Sequence, residues 1–255
     1  MAMDAPDMHA LAALSLQIAW GADEALDDLP VDRLRPAPPV QVPAPRPRPV
    51  AATTQAPPAP SGNLATKAQT AAAACTTIAE LREALAAFTC PLAATATNLV
   101  FTDGTPSAGL IIVGETPGEQ EDRTGTPFTG PEGVLFHRML ASIGLDRTQA
   151  LFTNLIFWRP PGNRAPTDAE VAMCLPFAQR LIALAQPRIV ITLGALATHA
   201  LTNTDTSIRR LRGKWRPLGA AQVLPMLHPS YLIQTPPAKR EAWLDLLTLK
   251  RAFDG

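Results

Sequence analysis

The chain has 255 residues, of which 47% are hydrophobic and 17% charged, and its 22 Lys+Arg balance 22 Asp+Glu to a formal net charge of zero. This is enough for one substantial core plus extra segments, and it excludes any partner chosen by global charge. Three cysteines, Cys75, Cys90 and Cys174, exclude a disulfide framework, and an odd count without a signal peptide points to a reducing compartment.

The first twenty residues carry acids ahead of an apolar run and no basic lead-in, so they read as neither a signal nor a transit peptide. No apolar run approaches the length of a membrane span, and a cytoplasmic, nucleoid-associated protein is expected. Met8 to Ala25 has helical apolar spacing at Leu11, Leu14 and Ile18. Residues 1–29 are therefore expected to form an amphipathic helix, which either docks a protein partner or packs back on the main domain. Residues 30–63 are Pro- and Ala-rich ("RPAPPVQVPAPRPRP") and predict an extended, semi-stiff linker. The remaining residues, 64–255, form the main domain. It opens with one helix over Leu64 to Phe88, or with two meeting near Thr76-Thr77.

Beyond Thr95 the pattern changes to short β-branched or apolar runs: "GLIIVGE" (109–115), "ALFTNLIFW" (150–158), "RIVITLG" (188–194) and "VLPMLHP" (223–229). Helical segments fall between and after them, at Gly133–Ile143, Thr167–Leu184, Ala195–Leu201 and Ala238–Phe253. Apolar strands alternating with helices predict a three-layer α/β/α sandwich around a mainly parallel four-stranded sheet. Ligands of such sheets bind beyond the carboxyl ends of the strands, so the loops after Val113, Trp158, Leu193 and Leu227 are the places to look for chemistry.

Three of these loops hold candidates. "GETPGEQEDRTGTPFTGPEG" (114–133) is neither a Walker loop nor a dinucleotide fingerprint, and its acids Glu115, Glu119, Glu121 and Asp122 disfavour a phosphate. It suits hydrogen bonding to a neutral ligand or positioning of a water, with Phe128 either a loop pin or a contact surface. Asn154, in an apolar strand, must satisfy both a donor and an acceptor, either on neighbouring backbone or on the edge of an amide- or imide-like ligand. The stiff loop after it, "RPPGNR", offers Arg159 and Arg164 to phosphates. In "LHPSYL" (227–232), His228 is either a turn cap or an electrophile, and Ser230 with nearby N–H groups suits a phosphate.

Together, in this order and spacing, "GETPGEQEDRTGTPFTG", "TNLIFWRPPGNRAPTDAEVAMC", "VITLGALA", "RLRG" and "LHPSYLIQTPPAKREAWLDL" resemble the uracil-DNA glycosylase superfamily. The resemblance is closest to its type 4 enzymes, which hold a 4Fe-4S cluster, and covers roughly Ala87 to Phe253. It implies hydrolysis of the bond between deoxyribose and uracil in base-excision repair. By that resemblance Gly114 and Glu115 line the base pocket, Glu121 is an acid needed for activity, Phe128 stacks on uracil, and Asn154 reads its edge. His228 faces uracil O2 in a loop entering the minor groove, with Ser230, Tyr231 and Leu232 beside it on the DNA. Arg159 and Arg164 join the DNA-facing rim. Asn154 matches the O4 acceptor and N3–H donor of uracil but not cytosine. The 5-methyl of thymine must be blocked separately, and the Glu115 loop is assigned to that. Either Glu115 or Glu121 handles the attacking water.

Two positions depart from the pattern. Of the four cluster cysteines the resemblance implies, only Cys90 and Cys174 are present, with Ala87 and Trp158 in the other places. Two thiolates do not hold a four-iron cluster, so no metal or cofactor is expected, and Trp158 is expected to fill the vacated volume. Gln234 stands where many relatives have Arg. The expected protein is a monomeric uracil-excision enzyme acting on single- or double-stranded DNA. A glycosylase for hypoxanthine or xanthine, or a non-catalytic damage-binding module, remain the alternatives.

Overall fold

The computed structural model describes residues 61–254, with side chains from Leu64 to Phe253; the expected N-terminal helix and all but the last three residues of the expected linker lie outside the described residues. Those three residues open helix α1 (Ser61–Ala74), which is followed by α2 (Ile78–Ala87), so the two-helix alternative holds. The break has a local cause. The Thr77 hydroxyl accepts from the Glu80 N–H at 3.1 Å, while the Glu80 carboxylate accepts from the Thr76 N–H at 2.7 Å, starting a new helix there.

In chain order there follow β1 (Thr102–Gly104), β2 (Leu110–Gly114), α3 (Glu119–Thr124), α4 (Pro131–Ala141) and β3 (Leu151–Asn154). Next come α5 (Asp168–Ala185), β4 (Ile189–Leu193), α6 (Ala195–Thr202), α7 (Ile208–Leu211), β5 (Arg216–Leu218) and β6 (Ala221–Met226). The described chain closes with α8 (Pro229–Gln234) and α9 (Lys239–Asp254). α5 starts with a reciprocal cap: Thr167 accepts from the Glu170 N–H, and the Glu170 carboxylate accepts from the Thr167 N–H.

The strands lie in the order β1-β3-β2-β4-β6-β5. The central four are parallel to one another, and β1 and β5 pair antiparallel at the two edges. The sheet therefore has six strands rather than four. The two additions are three residues long and half-exposed, too short and too polar to show a period. A second correction concerns the run Ala150–Trp158, which is strand only to Asn154. Beyond it Leu155 and Ile156 donate to the carbonyls of Gly114 and Glu115 at 2.9 and 3.0 Å. The run stays buried because it tracks the loop leaving β2.

Alternation along the strands builds the layers. Ile111, Val113, Leu151, Val190 and Val223 face one core, shared with α1, α2, α5 and α6. Leu110, Ile112, Phe152, Ile191 and Leu224 face the other, covered by α4 and α9. β2 and β4 are buried at every residue, as central strands of a three-layer sandwich require. All four parallel strands consequently end on the same side.

Candidate active site

Gly114 and Asn154 are register partners at the last rung between β2 and β3. Gly194, directly after β4, donates its N–H to the Met226 carbonyl at the end of β6, and His228 lies two residues further on. This register alone brings Glu115, Asn154 and His228 to one edge of the sheet. They line a cavity of about 330 Å³ with Phe128, Glu121, Ser230, Thr116, Pro117, Gly118, Glu132, Gly133, Asn163 and Gln234. A larger cavity of about 570 Å³ lies at the opposite end of the sheet, near the starts of β4 and β6, but no titratable side chain lines it. The smaller cavity is where chemistry is possible.

Close approach governs the cavity floor. A Cβ on Gly114 would sit 2.3 Å from Asn154 Oδ1 and 3.0 Å from Phe128 Cζ, so glycine there lets both side chains close in. Asn154 is buried, and no protein partner for its side-chain amide is found among the described residues. Phe128 packs edge-on against Phe152, with centroids 5.5 Å apart, and holds a left-handed backbone (φ 59°). For a non-glycine residue that conformation costs about 1–2 kcal/mol, so the surroundings must impose it. Gly133 is part of the reason, since a Cβ there would fall 2.1 Å from the Phe128 carbonyl oxygen.

The two candidate glutamates differ in how they are held. Glu121 is buried, and both of its oxygens are engaged by loop backbone: Oε1 accepts from Gly130 at 2.7 Å and Oε2 from Gly118 at 3.1 Å. It fastens the two ends of the loop that carries Phe128. Glu115 is half-buried, and among the described residues only its Oε1 is engaged, accepting from the Leu196 N–H at the start of α6 at 2.8 Å. Its other oxygen is available to the cavity.

His228 caps α8. Its Nδ1 accepts from the Ser230 N–H at 3.2 Å and contacts Ser230 Oγ at 2.7 Å, so in the neutral ring the proton is on Nε2. Burial lowers the His228 pKa, partly countered by the charges of Glu115 and Glu121. The ring is thus a neutral donor at neutral pH.

The expected DNA-facing residues divide. Arg159 donates from Nε to Asn163 Oδ1 at 2.7 Å, stiffening the loop, and its terminal nitrogens have no partner among the described residues. Arg164 is already occupied by Glu170, through two bonds of 2.8 and 2.7 Å. Tyr231 is half-buried, and its hydroxyl accepts from Arg209, whose guanidinium also lies 5.7 Å from the ring centroid. Leu232 corrects the expectation for it: it is fully buried against Leu227, Ala238 and Ala242, a core residue closed to DNA. Its neighbour Ile233 is the exposed apolar side chain of that segment. Asn163 was not singled out from sequence, although its place after Gly162 in a turn was a signal; both residues have positive φ.

The residues at the implied cluster positions do not fit such a group. Ala87 is exposed at the end of α2 and has no donor atom, while Trp158 is buried and packed edge-on to Phe157. Cys90 and Cys174 are both buried, free thiols. Their mutual interaction pulls the Cys90 thiol down to about 7 and, with burial, pushes the Cys174 thiol well up. Cys75 donates its thiol to the Ala71 carbonyl at 3.2 Å. Among the described residues no set of three or more His, Cys, Asp or Glu is arranged to hold a metal ion. No helix there is long and apolar enough to cross a membrane.

A family model described as the uracil DNA glycosylase superfamily matches residues 101–247. A type-4 uracil-DNA glycosylase of Thermotoga maritima is 38% identical over 149 residues, 57% of this chain and 77% of that protein. One of Sulfurisphaera tokodaii is 38% identical over 149 residues, covering 55% and 68%. One of Archaeoglobus fulgidus is 35% identical over 169 residues, covering 63% and 85%.

Proposed function

Since this chain belongs to the uracil DNA glycosylase superfamily, we propose that it is a uracil-DNA glycosylase, a hydrolase that cuts the N-glycosidic bond of uracil in DNA during repair. One observation carries the reading. Asn154, Phe128 and His228, from three distant parts of the chain, meet around a single cavity suited to a flat base.

The glycosidic bond is out of reach in a stacked duplex, so the nucleotide must flip out, at a cost of a few kcal/mol. The rim offsets that cost: Arg159 offers its guanidinium to the backbone, and exposed Ile233 is placed to fill the gap beside α8. Every base-facing residue comes from one chain, so a monomer suffices. Inside, uracil stacks on Phe128, and the buried Asn154 amide pairs with its O4 and N3–H. Cytosine offers the opposite pattern and would leave both sides unpaired, a strong basis for rejection. As the bond breaks, negative charge grows on uracil and positive charge on the sugar. Neutral His228, with its proton fixed on Nε2 by the Nδ1 bond, donates to O2 and stabilises the leaving anion.

The attacking water falls to Glu115, which has an oxygen free, and not to Glu121, whose two oxygens are taken by backbone. Glu121 keeps the loop closed. The reaction requires no metal, and the chain is proposed to work without a cluster, with packing around Trp158 in its place.

Single-turnover assays on single-stranded U, U:G, U:A and inosine oligonucleotides test this, with Asn154→Ala and His228→Ala alongside. Uracil release that falls by at least about 100-fold in each variant is expected. No release by the intact protein, or undiminished release by both variants, overturns the reading.

A further inference from the structure

We infer that Arg147, seated between Asp103 and His137, is a positioning residue that braces Phe128 from behind and so sets the stacking surface of the base pocket. The inference rests on the reading of Phe128 as that surface.

None of the three residues lines the cavity. Arg147 sits in the turn before β3, and its guanidinium is used on several sides at once. Nε donates to Asp103 Oδ2 at 2.5 Å, Nη2 to the Pro127 carbonyl at 2.9 Å, and Nη1 reaches the Phe128 carbonyl at 3.4 Å and His137 Nε2. Its carbon lies 5.1 Å from the centroid of Phe152, the ring that Phe128 packs against. His137, on α4, places Nε2 3.2 Å from the same Phe128 carbonyl. Two successive carbonyls, of Pro127 and Phe128, are thus turned toward one cation. That is the geometry a left-handed Phe128 produces, and it would be lost if the residue relaxed to an ordinary conformation.

Two features indicate that aiming is the purpose. Asp103 lies on β1 directly opposite Phe152, so the carboxylate that orients Arg147 and the ring that supports Phe128 share one rung of the sheet. His137, beside the guanidinium, keeps its Nδ1 buried and without a protein partner among the described residues. Burial and the adjacent Arg147 charge lower the His137 pKa, so the ring stays neutral beside the guanidinium. Only a planar fork reaches a carboxylate and two carbonyls together; a lysine supplies the charge without the reach.

The test is a double-mutant cycle read by single-turnover excision and by inhibition with free uracil. Arg147→Met should slow excision by about tenfold and weaken uracil inhibition in proportion, with affinity for abasic DNA unchanged. Arg147→Lys should stay within about twofold of Arg147→Met, and Phe128→Ala with Arg147→Met should be no slower than Phe128→Ala alone. Asp103→Asn, at a half-exposed site, guards against a poorly folded Arg147 variant and should lose about threefold, again only when Phe128 is present. Full activity in Arg147→Met or in Asp103→Asn, wild-type activity in Arg147→Lys, or losses that simply add to Phe128→Ala would overturn the brace while leaving the stacking reading intact. A wild-type rate in Phe128→Ala would sink the stacking reading, and the brace with it.

Discussion

Replacing Gly114 with alanine adds one methyl at the end of β2, between Asn154 and Phe128, the side chains proposed to read the base edge and to support its face. Gly114 is not among the glycines with positive φ, so alanine suits the backbone and any effect comes from space. The added Cβ would stand 2.3 Å from Asn154 Oδ1 and 3.0 Å from Phe128 Cζ. Real Cβ atoms essentially never approach within 3.0 Å, so the Asn154 amide must retreat by well over half an ångström. A misplacement on the scale of 1 Å costs about 100-fold in rate, and that is the expected loss in Gly114→Ala. The overpacked strand end should cost about 1–3 kcal/mol, a lowering of Tm that leaves the enzyme folded at assay temperature. The assay is single-turnover release of uracil from a labelled oligonucleotide, scored by alkaline cleavage at the abasic site. Binding to abasic DNA is measured alongside and should not change, because the empty pocket is not needed for it. A folded Gly114→Ala enzyme within about threefold of the wild-type rate would refute the assignment of Asn154 and Phe128 as joint base contacts.

Glu121→Gln keeps the size of the side chain but replaces one acceptor oxygen by a donor, facing either Gly118 N–H or Gly130 N–H; a loss of about 1–3 kcal/mol by chemical denaturation is expected, with slower excision. Unchanged stability would contradict its role as a loop fastener. His228 is held neutral below the ordinary imidazole pKa of about 6.5, so the excision rate should show no inflection there. An inflection near 6.5 that vanishes in His228→Gln would show the charged ring to be the working form. The same lowered pKa makes a stability prediction. The unfolded chain takes up the His228 proton first, so this contribution is complete above about 6.5 and is lost as the pH falls from there toward the folded-state value. Trp158→Ala should cost about 3–5 kcal/mol, as for other buried aromatics. Protein purified without oxygen should contain far fewer than the four irons of a 4Fe-4S cluster, and a full complement would overturn the cluster-free reading.

Runs such as "GLIIVGE" and "RIVITLG" declared the central strands because burial on both faces demands continuous apolar residues, and the turn to helix after each was marked by glycine. β1 and β5 were silent because edge strands need no such run. Asn154 stood out as a polar residue in apolar surroundings. By contrast, the sequence treats Glu115 and Glu121 alike; which one is consumed by backbone depends on where Gly118, Gly130 and Leu196 come to lie. Leu232 was misplaced for a related reason: a loop motif does not say which face of its short helix turns inward. Arg147, 44 residues from Asp103 and 19 from Phe128, gave no local signal at all.

Because Glu115, Asn154 and His228 are contributed by the ends of β2, β3 and β6, none of the contacts proposed for these three can exist before those strands have found their register. The pocket is complete only in a chain whose sheet is complete. A chain with an unfinished or slipped sheet has no place for uracil, and such pairings across long sequence separations form late and with difficulty. For a protein that removes bases from DNA, activity is thereby tied to a completed sheet.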